Sequence, residues 1–489
     1  MEGSFEISAV EKLDQLGTCV ALDLEVDPIT GRLFAFAALR TGGEAALIYR
    51  SGDLRSALHA LDDYCAPADF LVGHNIIDHD LAHLAAADES LKLFMLPVID
   101  TLRLNPLAFP RNPYHRLVKH YRDGRLLGGG INDPELDAQI TTELLGEQIE
   151  ALQRIDAKSP DLTRAFHALA TSDEAPAAGF DAVFRVVRGR GRPDARQRNG
   201  AIETLLSEAG CRTRAAALSA SPLGDGWPLA YALSWISVAG GDSIMPPWVR
   251  HRFPRATEIV RELRDSACRD PHCTWCREQN DSDALLRRWF GFDAFRPEPA
   301  SPTGEPLQRE IVSKALAGES QLGILPTGTG KSVCYQLPAL SRYEKTGALT
   351  VVISPLVALM SDQVEGLRRQ GISSCFTING MLSLPERHDA LDRVRLGDAA
   401  IVLVSPEQLR SPSVISVLQQ REIGAWVIDE AHCLSKWGHD FRPDYRYIAR
   451  IIRELAGDAP LPSILCLTAT AKPGRDPGYS RLLPLQVGA

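Results

Sequence analysis

Gly323 to Leu340 reads GILPTGTGKSVCYQLPAL: the end of an apolar strand, a glycine-rich loop and the start of a helix, in that order. Thr327-Gly328-Thr329-Gly330 supplies a loop whose backbone N–H groups can turn inward around an anion, because glycine tolerates the dihedrals this needs. Lys331 is placed to reach the β- and γ-phosphates of a nucleotide, and the Ser332 hydroxyl to hold Mg²⁺. Both stand at a helix N-terminus whose dipole favours the same anion. This stretch predicts an α/β domain with a P-loop nucleotide site.

Outward from the loop, further short apolar runs of buried parallel-strand type follow at Leu349–Ile353, Ala400–Val404, Ala425–Ile428 and Ser463–Leu467. Each ends in polar residues. Ser354-Pro355 follows the first and Ser405-Pro406-Glu407 the second. Asp429-Glu430-Ala431-His432 follows the third, at the carboxyl end where open α/β sheets bind ligands. There Asp429 can hold the Mg²⁺ shell and Glu430 can orient or deprotonate an attacking water. Thr468-Ala469-Thr470 closes the fourth strand with two hydroxyls.

From about Trp289 to Pro473 these motifs resemble the first RecA-like domain of a superfamily 2 helicase, specifically of the RecQ family. Asp429–His432 is similar to the family's D-E-A-H box. Cys433–Pro443 resembles its aromatic-rich loop, which senses single-stranded DNA and couples it to hydrolysis. In that loop Trp437 and Phe441 offer stacking surfaces for bases, and His439 and Arg442 offer donors for phosphates. The resemblance implies ATP and Mg²⁺ as cofactors and Lys331, Asp429, Glu430 and His432 as the catalytic group. It further implies DNA-backbone contacts at Ser354 and Pro355, and coupling of hydrolysis to movement at Thr468 and Thr470. The adenine-recognition motif is altered. Trp289–Pro297 resembles the family's lead-in, but Glu298–Leu307 intervenes before the candidate glutamine, Gln308. The implied activity is a 3′–5′ DNA helicase of repair or recombination, acting where single- and double-stranded DNA meet.

The N-terminal part has its own chemistry. Asp23 and Glu25 lie two apart in the strand-like run Cys19–Val26, so both carboxylates face one side of a sheet. Two carboxylates at one spot repel unless they share a cation. Gly73–Leu81, with Asp78 and Asp80, and Asn132–Ala138, with Asp137, follow in order. This succession resembles the DEDD 3′–5′ exonucleases, which have a ribonuclease H-like fold. Carried over, Asp23, Glu25, Asp80 and Asp137 would hold a pair of Mg²⁺ or Mn²⁺ ions, with Asp78 competing for the third place. The family's general base precedes the last aspartate as a histidine or a tyrosine. Those slots hold Asn132 and Asp133 here, leaving His115 or His120 to enter from the preceding segment.

Between the two, Cys268-x4-Cys273-x2-Cys276 has metal-site spacing, with His272, His251 and Cys211 as candidates for a fourth ligand. Zn²⁺ is the first reading and an iron–sulfur cluster the second. Arg185, Arg188, Arg190, Arg192, Arg196 and Arg198 form a run that could track a nucleic-acid backbone.

The 489 residues predict three parts: an exonuclease-like domain over 1–154, a mostly helical connector over 155–284 and a motor domain over 285–489. Ten cysteines, seven of them isolated, argue for a reducing cytoplasm, and no apolar run of membrane-spanning length occurs. A net charge of −9 confines any nucleic-acid binding to local patches. Oligomeric state is not legible. Gly474–Ala489 departs from the helix that the family would continue with, so a truncation or frameshift is expected, leaving a chain that binds ATP and DNA without unwinding. The competing readings are a non-catalytic DNA-binding remnant and an RNA-directed ATPase.

Overall fold

The computed structural model describes residues 13, 15–42, 45–112, 133–171, 177–220, 226–240, 243–268, 270–434, 447–457 and 459–469. They form two compact units. The first comprises Met1–Glu208, Ala216–Ser237 and Arg252–Ala256, and the second Ala209–Ala215, Val238–His251 and Thr257–Ala489. The helical stretch 155–284 is therefore divided between them. Among the described residues no helix is long and apolar enough to cross a membrane.

The first unit is built on strands β1 (Cys19–Val26), β2 (Leu33–Arg40), β3 (Leu47–Tyr49), β4 (Phe70–Gly73) and β5 (Val98–Asp100), in the order β3-β2-β1-β4-β5. The first three run as an antiparallel meander, while β4 and β5 join β1 in parallel. Alternation along β1 sends Val20, Leu22 and Leu24 into a core with Phe36, Leu58, Leu61 and Leu71, and turns Asp23 and Glu25 to the other face. On β2 the residues opposite these carboxylates are Ala37 and Ala35, which leave room above them. The helix Pro134–Lys158 packs on β1 and β2. Asp133 caps it by accepting the Glu135 N–H at 3.3 Å. The helix that begins at Asp80 stops at Ala87. Asp88 there takes an extended backbone, and its carboxylate accepts the Ser90 N–H at 2.9 Å, a local bond that competes with the helix.

The second unit is a parallel sheet of β6 (Gln321–Ile324), β7 (Leu349–Ile353), β8 (Cys375–Ile378), β9 (Ile401–Val404), β10 (Ile423–Ile428) and β11 (Ser463–Thr468). The order is β6-β11-β10-β7-β9-β8. Helices cover both faces, so the strands are apolar on both sides. Trp426 and Ile428 enter one core with Val351 and Ile353, while the intervening Val427 enters the other with Val352 and Leu465. At Gly323 on β6 a Cβ would come within 2.8 Å of Leu467 on β11. The architecture is α/β, and all six strands deliver their carboxyl ends to one edge of the sheet.

Candidate functional site

That edge gathers the phosphate loop and the polar residues that follow the strands. After β6 the loop turns through Gly328 and Gly330, both at positive φ (+79° and +78°), before the helix Val333–Thr346 begins beyond Ser332. At Gly330 a Cβ would also meet the Gln308 amide nitrogen at 2.8 Å and displace that side chain, while the positive φ itself favours glycine. The Thr329 hydroxyl donates back to Pro326 O at 2.7 Å and Thr327 stands exposed at the tip.

Lys331 Nζ lies 3.1 Å from Glu430 Oε1, with both side chains largely shielded from water. On its other side Glu430 meets His432: Oε2 and Nδ1 are 3.1 Å apart. Thr468 Oγ1, buried at the end of β11, is 3.4 Å from the same Nδ1. A polar chain thus runs from Thr468 through His432 and Glu430 to Lys331, crossing three strand ends. Glu430 holds its place with φ +47°, an uncommon conformation for a non-glycine residue, and such strain clusters at functional sites. Burial pushes the Asp429 carboxyl above its ordinary value, and the neighbouring charge of Glu430 adds to this, while Lys331 and the Ser354 hydroxyl act in the opposite sense. A divalent cation beside Asp429 would relieve that cost. Ser354 and Pro355 are themselves buried.

The interruption ahead of Gln308 folds back on itself. Ala300 bridges Pro306, and Leu307 N–H donates to Pro299 O at 2.9 Å, so Arg296 and Gln308 end up adjacent. Gln308 Oε1 accepts the Arg296 N–H at 3.0 Å, and its Nε2 donates to Thr329 O at 2.6 Å and Gly330 O at 3.0 Å. The Arg296 guanidinium donates to Gly328 O. Beside them opens a cavity of about 400 Å³, lined by Phe290, Phe292, Arg296, Gln308, Gly330 and Val333 among others. The Phe290 and Phe292 rings are near parallel, with centroids 6.5 Å apart, and Phe292 is half exposed. Phe292 is a residue the sequence reading passed over, although its position four before Arg296 was visible. Trp437, His439, Phe441, Arg442 and Thr470 lie outside the described residues, as do His115, His120 and Asn132.

In the first unit Asp23, Glu25 and Asp137 converge, with one carboxylate oxygen from each within 4.8 Å of the others. The helix Pro134–Lys158 brings Asp137 over β1, where Glu25 and Asp137 are buried. Asp80 is not one of the three. It is buried at the start of its own helix, and its Oδ1 accepts the Leu24 N–H at 3.1 Å between Asp23 and Glu25. Asp78 instead pairs with Arg103 at 3.2 Å and Arg252 at 2.7 Å. His79, 3.6 Å from Asp80, is held above its ordinary value chiefly by its hydrogen bond to Asp80, with the charge of Glu25 adding to it. The sequence reading also missed Asp100. Fully buried at the end of β5, it accepts the Asn75 and Ile77 N–H groups at 3.0 and 3.2 Å and caps the helix Thr101–Ala108. It thereby fixes the loop that delivers Asp78 and Asp80. Burial pushes its carboxyl up to about 6 against those donors.

The cysteines converge too. Cys211, Cys268, Cys273 and Cys276 place all four sulfurs within 4.8 Å of one another. His251 and His272 are exposed and outside this group. Of the arginine run, Arg185 pairs with Asp181 at 2.6 Å, and Arg188 donates to the buried His167 Nδ1 at 2.7 Å.

Residues 305–476 match the DEAD/DEAH box helicase family. Over 201 residues the chain is 38% identical to the probable ATP-dependent DNA helicase RecS of Bacillus subtilis (strain 168), covering 41% of this chain and 37% of that protein. Over 192 residues it is 41% identical to the ATP-dependent DNA helicase RecQ of the same organism, covering 39% of this chain and 30% of the relative. It is 39% identical to the human ATP-dependent DNA helicase Q4 over 183 residues, 37% of this chain and 14% of that protein. The chain spans about a third of the length of the two bacterial relatives. Its C-terminal half carries a DEAD/DEAH box helicase domain with RecQ-type helicase homologues.

Proposed function

We propose that residues 285–489 form the ATP-hydrolysing motor part of a RecQ-type DNA helicase. The observation that carries this reading is the polar chain Lys331–Glu430–His432–Thr468 at the mouth of the phosphate loop. A nucleotide's purine would lie in the cavity against Phe292 and Arg296, next to Gln308, with its phosphates in the loop 327–332. The γ-phosphate offers Lys331 a stronger anion than Glu430 does. Its arrival would free Glu430 to orient or deprotonate the attacking water. Mg²⁺ at Asp429 and Ser332 would neutralise charge on the phosphate oxygens. Because Glu430 also touches His432, and His432 touches Thr468, the change reaches the end of β11, where movement on nucleic acid would be coupled. DNA is the expected track, since the relatives at 37–41% identity are named DNA helicases. The test compares ATP hydrolysis with single-stranded DNA, with RNA and with neither. Stimulation by DNA above RNA supports the reading. Equal stimulation would favour an RNA-directed ATPase, and tight DNA binding with no hydrolysis a non-catalytic remnant.

A second reading covers residues 1–154, where the strand order β3-β2-β1-β4-β5 and the three converging carboxylates support a ribonuclease H-like 3′–5′ exonuclease domain. Asp23, Glu25 and Asp137 would hold Mg²⁺ or Mn²⁺, with Asp80 bracing the strand between them. Release of nucleotides from a 3′-labelled strand with Mn²⁺, lost in Asp23→Asn, tests it. No release with either metal would leave a domain that folds without this chemistry.

A further inference from the structure

We infer that Cys211, Cys268, Cys273 and Cys276 form a mononuclear four-thiolate zinc site. It braces the far end of the helix that begins at the phosphate loop. A zinc–thiolate bond of about 2.3 Å gives a tetrahedron with sulfur–sulfur edges of about 3.8 Å. Cys211 and Cys273 sulfurs are 3.8 Å apart, and no pair in the quartet exceeds 4.8 Å. In a four-iron cluster each thiolate binds a different iron, so the cluster edge adds to the bond lengths and spreads the sulfurs further. The quartet is too tight for that. Three ligands come from one loop and helix start, and Cys211 from a second segment immediately before the helix Arg212–Ala220. Closing such a loop with a metal stabilises most when the joined segments are distant in sequence.

The connections from the cluster lead to the motor. Cys211 N–H donates to Leu263 O at 2.8 Å. The next residue, Arg264, places its guanidinium 4.8 Å from the ring of Trp275, which stands between two of the cysteines and donates back to Arg264 O at 3.2 Å. The same guanidinium donates to Ala209 O and Lys345 O, both at 2.8 Å. Lys345, almost wholly buried, reaches Asp265 at 3.1 Å and Asn280 at 3.2 Å, and Asn280 donates to Cys276 O at 2.9 Å. Lys345 lies in the last turn of Val333–Thr346, so the zinc site fastens the end of the helix opposite the phosphates.

Metal analysis of the purified full chain, with visible absorption and thermal melting, tests this. The expected result is one zinc per chain without visible colour, retained in His272→Ala and His251→Ala but lost in Cys211→Ala, which also melts at lower temperature. Should Cys211→Ala prove insoluble, mercurial titration of the wild-type chain is expected to release zinc in step with modification of the four thiols. Iron with acid-labile sulfide, disulfides without metal, or full zinc retention in a soluble Cys211→Ala would overturn the assignment.

Discussion

The two carboxylate-bearing sites solve the same electrostatic problem in different ways. Glu430 is compensated from within the fold, between Lys331 and His432, and only Asp429 beside it pays a burial penalty. In the first unit Asp23, Glu25 and Asp137 bring three carboxylates within 4.8 Å of one another, and His79, engaged with Asp80, feels the charge of Glu25. A site that carries its own counter-charges can stand ready before its ligand arrives and exchange partners when it does. A site that gathers several carboxylates favours a cation shared among them. The difference teaches that motif order alone does not say how a site is held before it binds.

Substitution at Glu430 is the strongest way to break this comparison. Glu430→Gln keeps the side chain's size and removes the charge that Lys331 and His432 share. Hydrolysis is expected to fall by about 10²–10³-fold while ATP binding persists, a loss typical of removing one group that acts on the transition state. Single-turnover hydrolysis beside equilibrium nucleotide binding checks it. A variant that hydrolyses normally would remove Glu430 from the mechanism.

A pH experiment sharpens the other half. His167 is buried between Asp181 and Arg188, and burial, helped by the charge of Arg188, lowers it to about 4. Its unfolded value is near 6.5, so the unfolded chain takes up the proton first. Stability is therefore lost as pH falls from about 6.5 toward 4, by at most about 3 kcal/mol. Asp100, raised to about 6, acts in the opposite direction over the lower part of that window. The discriminating measurement is consequently the difference between wild type and His167→Gln, with the variant expected to lose less stability on acidification. Parallel curves would contradict the assignment.

Divalent cations provide the third test. Saturating Mn²⁺ at about 100 times its dissociation constant is expected to stabilise the first unit by about 2.7 kcal/mol. Asp23→Asn removes one of the three converging carboxylates, so it is expected to gain little from Mn²⁺. Equal Mn²⁺ responses in both would mean the carboxylates do not share an ion. The smallest effect belongs to Phe292→Ala, which removes a stacking face worth about 1 kcal/mol. The KM for ATP is expected to rise about fivefold with kcat unchanged. A change in kcat alone would place Phe292 elsewhere in the cycle.

What could be read beforehand follows from how local each signal is. The phosphate loop, Asp429-Glu430 and the strands β1, β7 and β10 carry their evidence in consecutive residues, and the structure places them at or within a few residues of where their patterns stand. Strands β4, β5 and β8 span only four, three and four residues, too few to show a period. Asp100 carried no local signal, because its partners Asn75 and Ile77 precede it by more than 20 residues. Cys211 stood among three possible fourth ligands, since no spacing rule connects a cysteine 57 residues ahead of Cys268 to it. Folding back of 298–307 could not be inferred from composition, yet it is what lets Gln308 meet Arg296 and the phosphate loop.

The central claim is that this loop belongs to a working ATP motor. Nucleotide binding and hydrolysis measured on the same samples, wild type and Lys331→Ala, with Mg²⁺ and single-stranded DNA, test it most directly. The account predicts DNA-stimulated hydrolysis by the wild-type chain and at least a roughly 100-fold loss in the variant, which keeps its helical circular dichroism. Hydrolysis that survives in Lys331→Ala, or a wild-type chain that binds DNA and never turns over ATP, would contradict it.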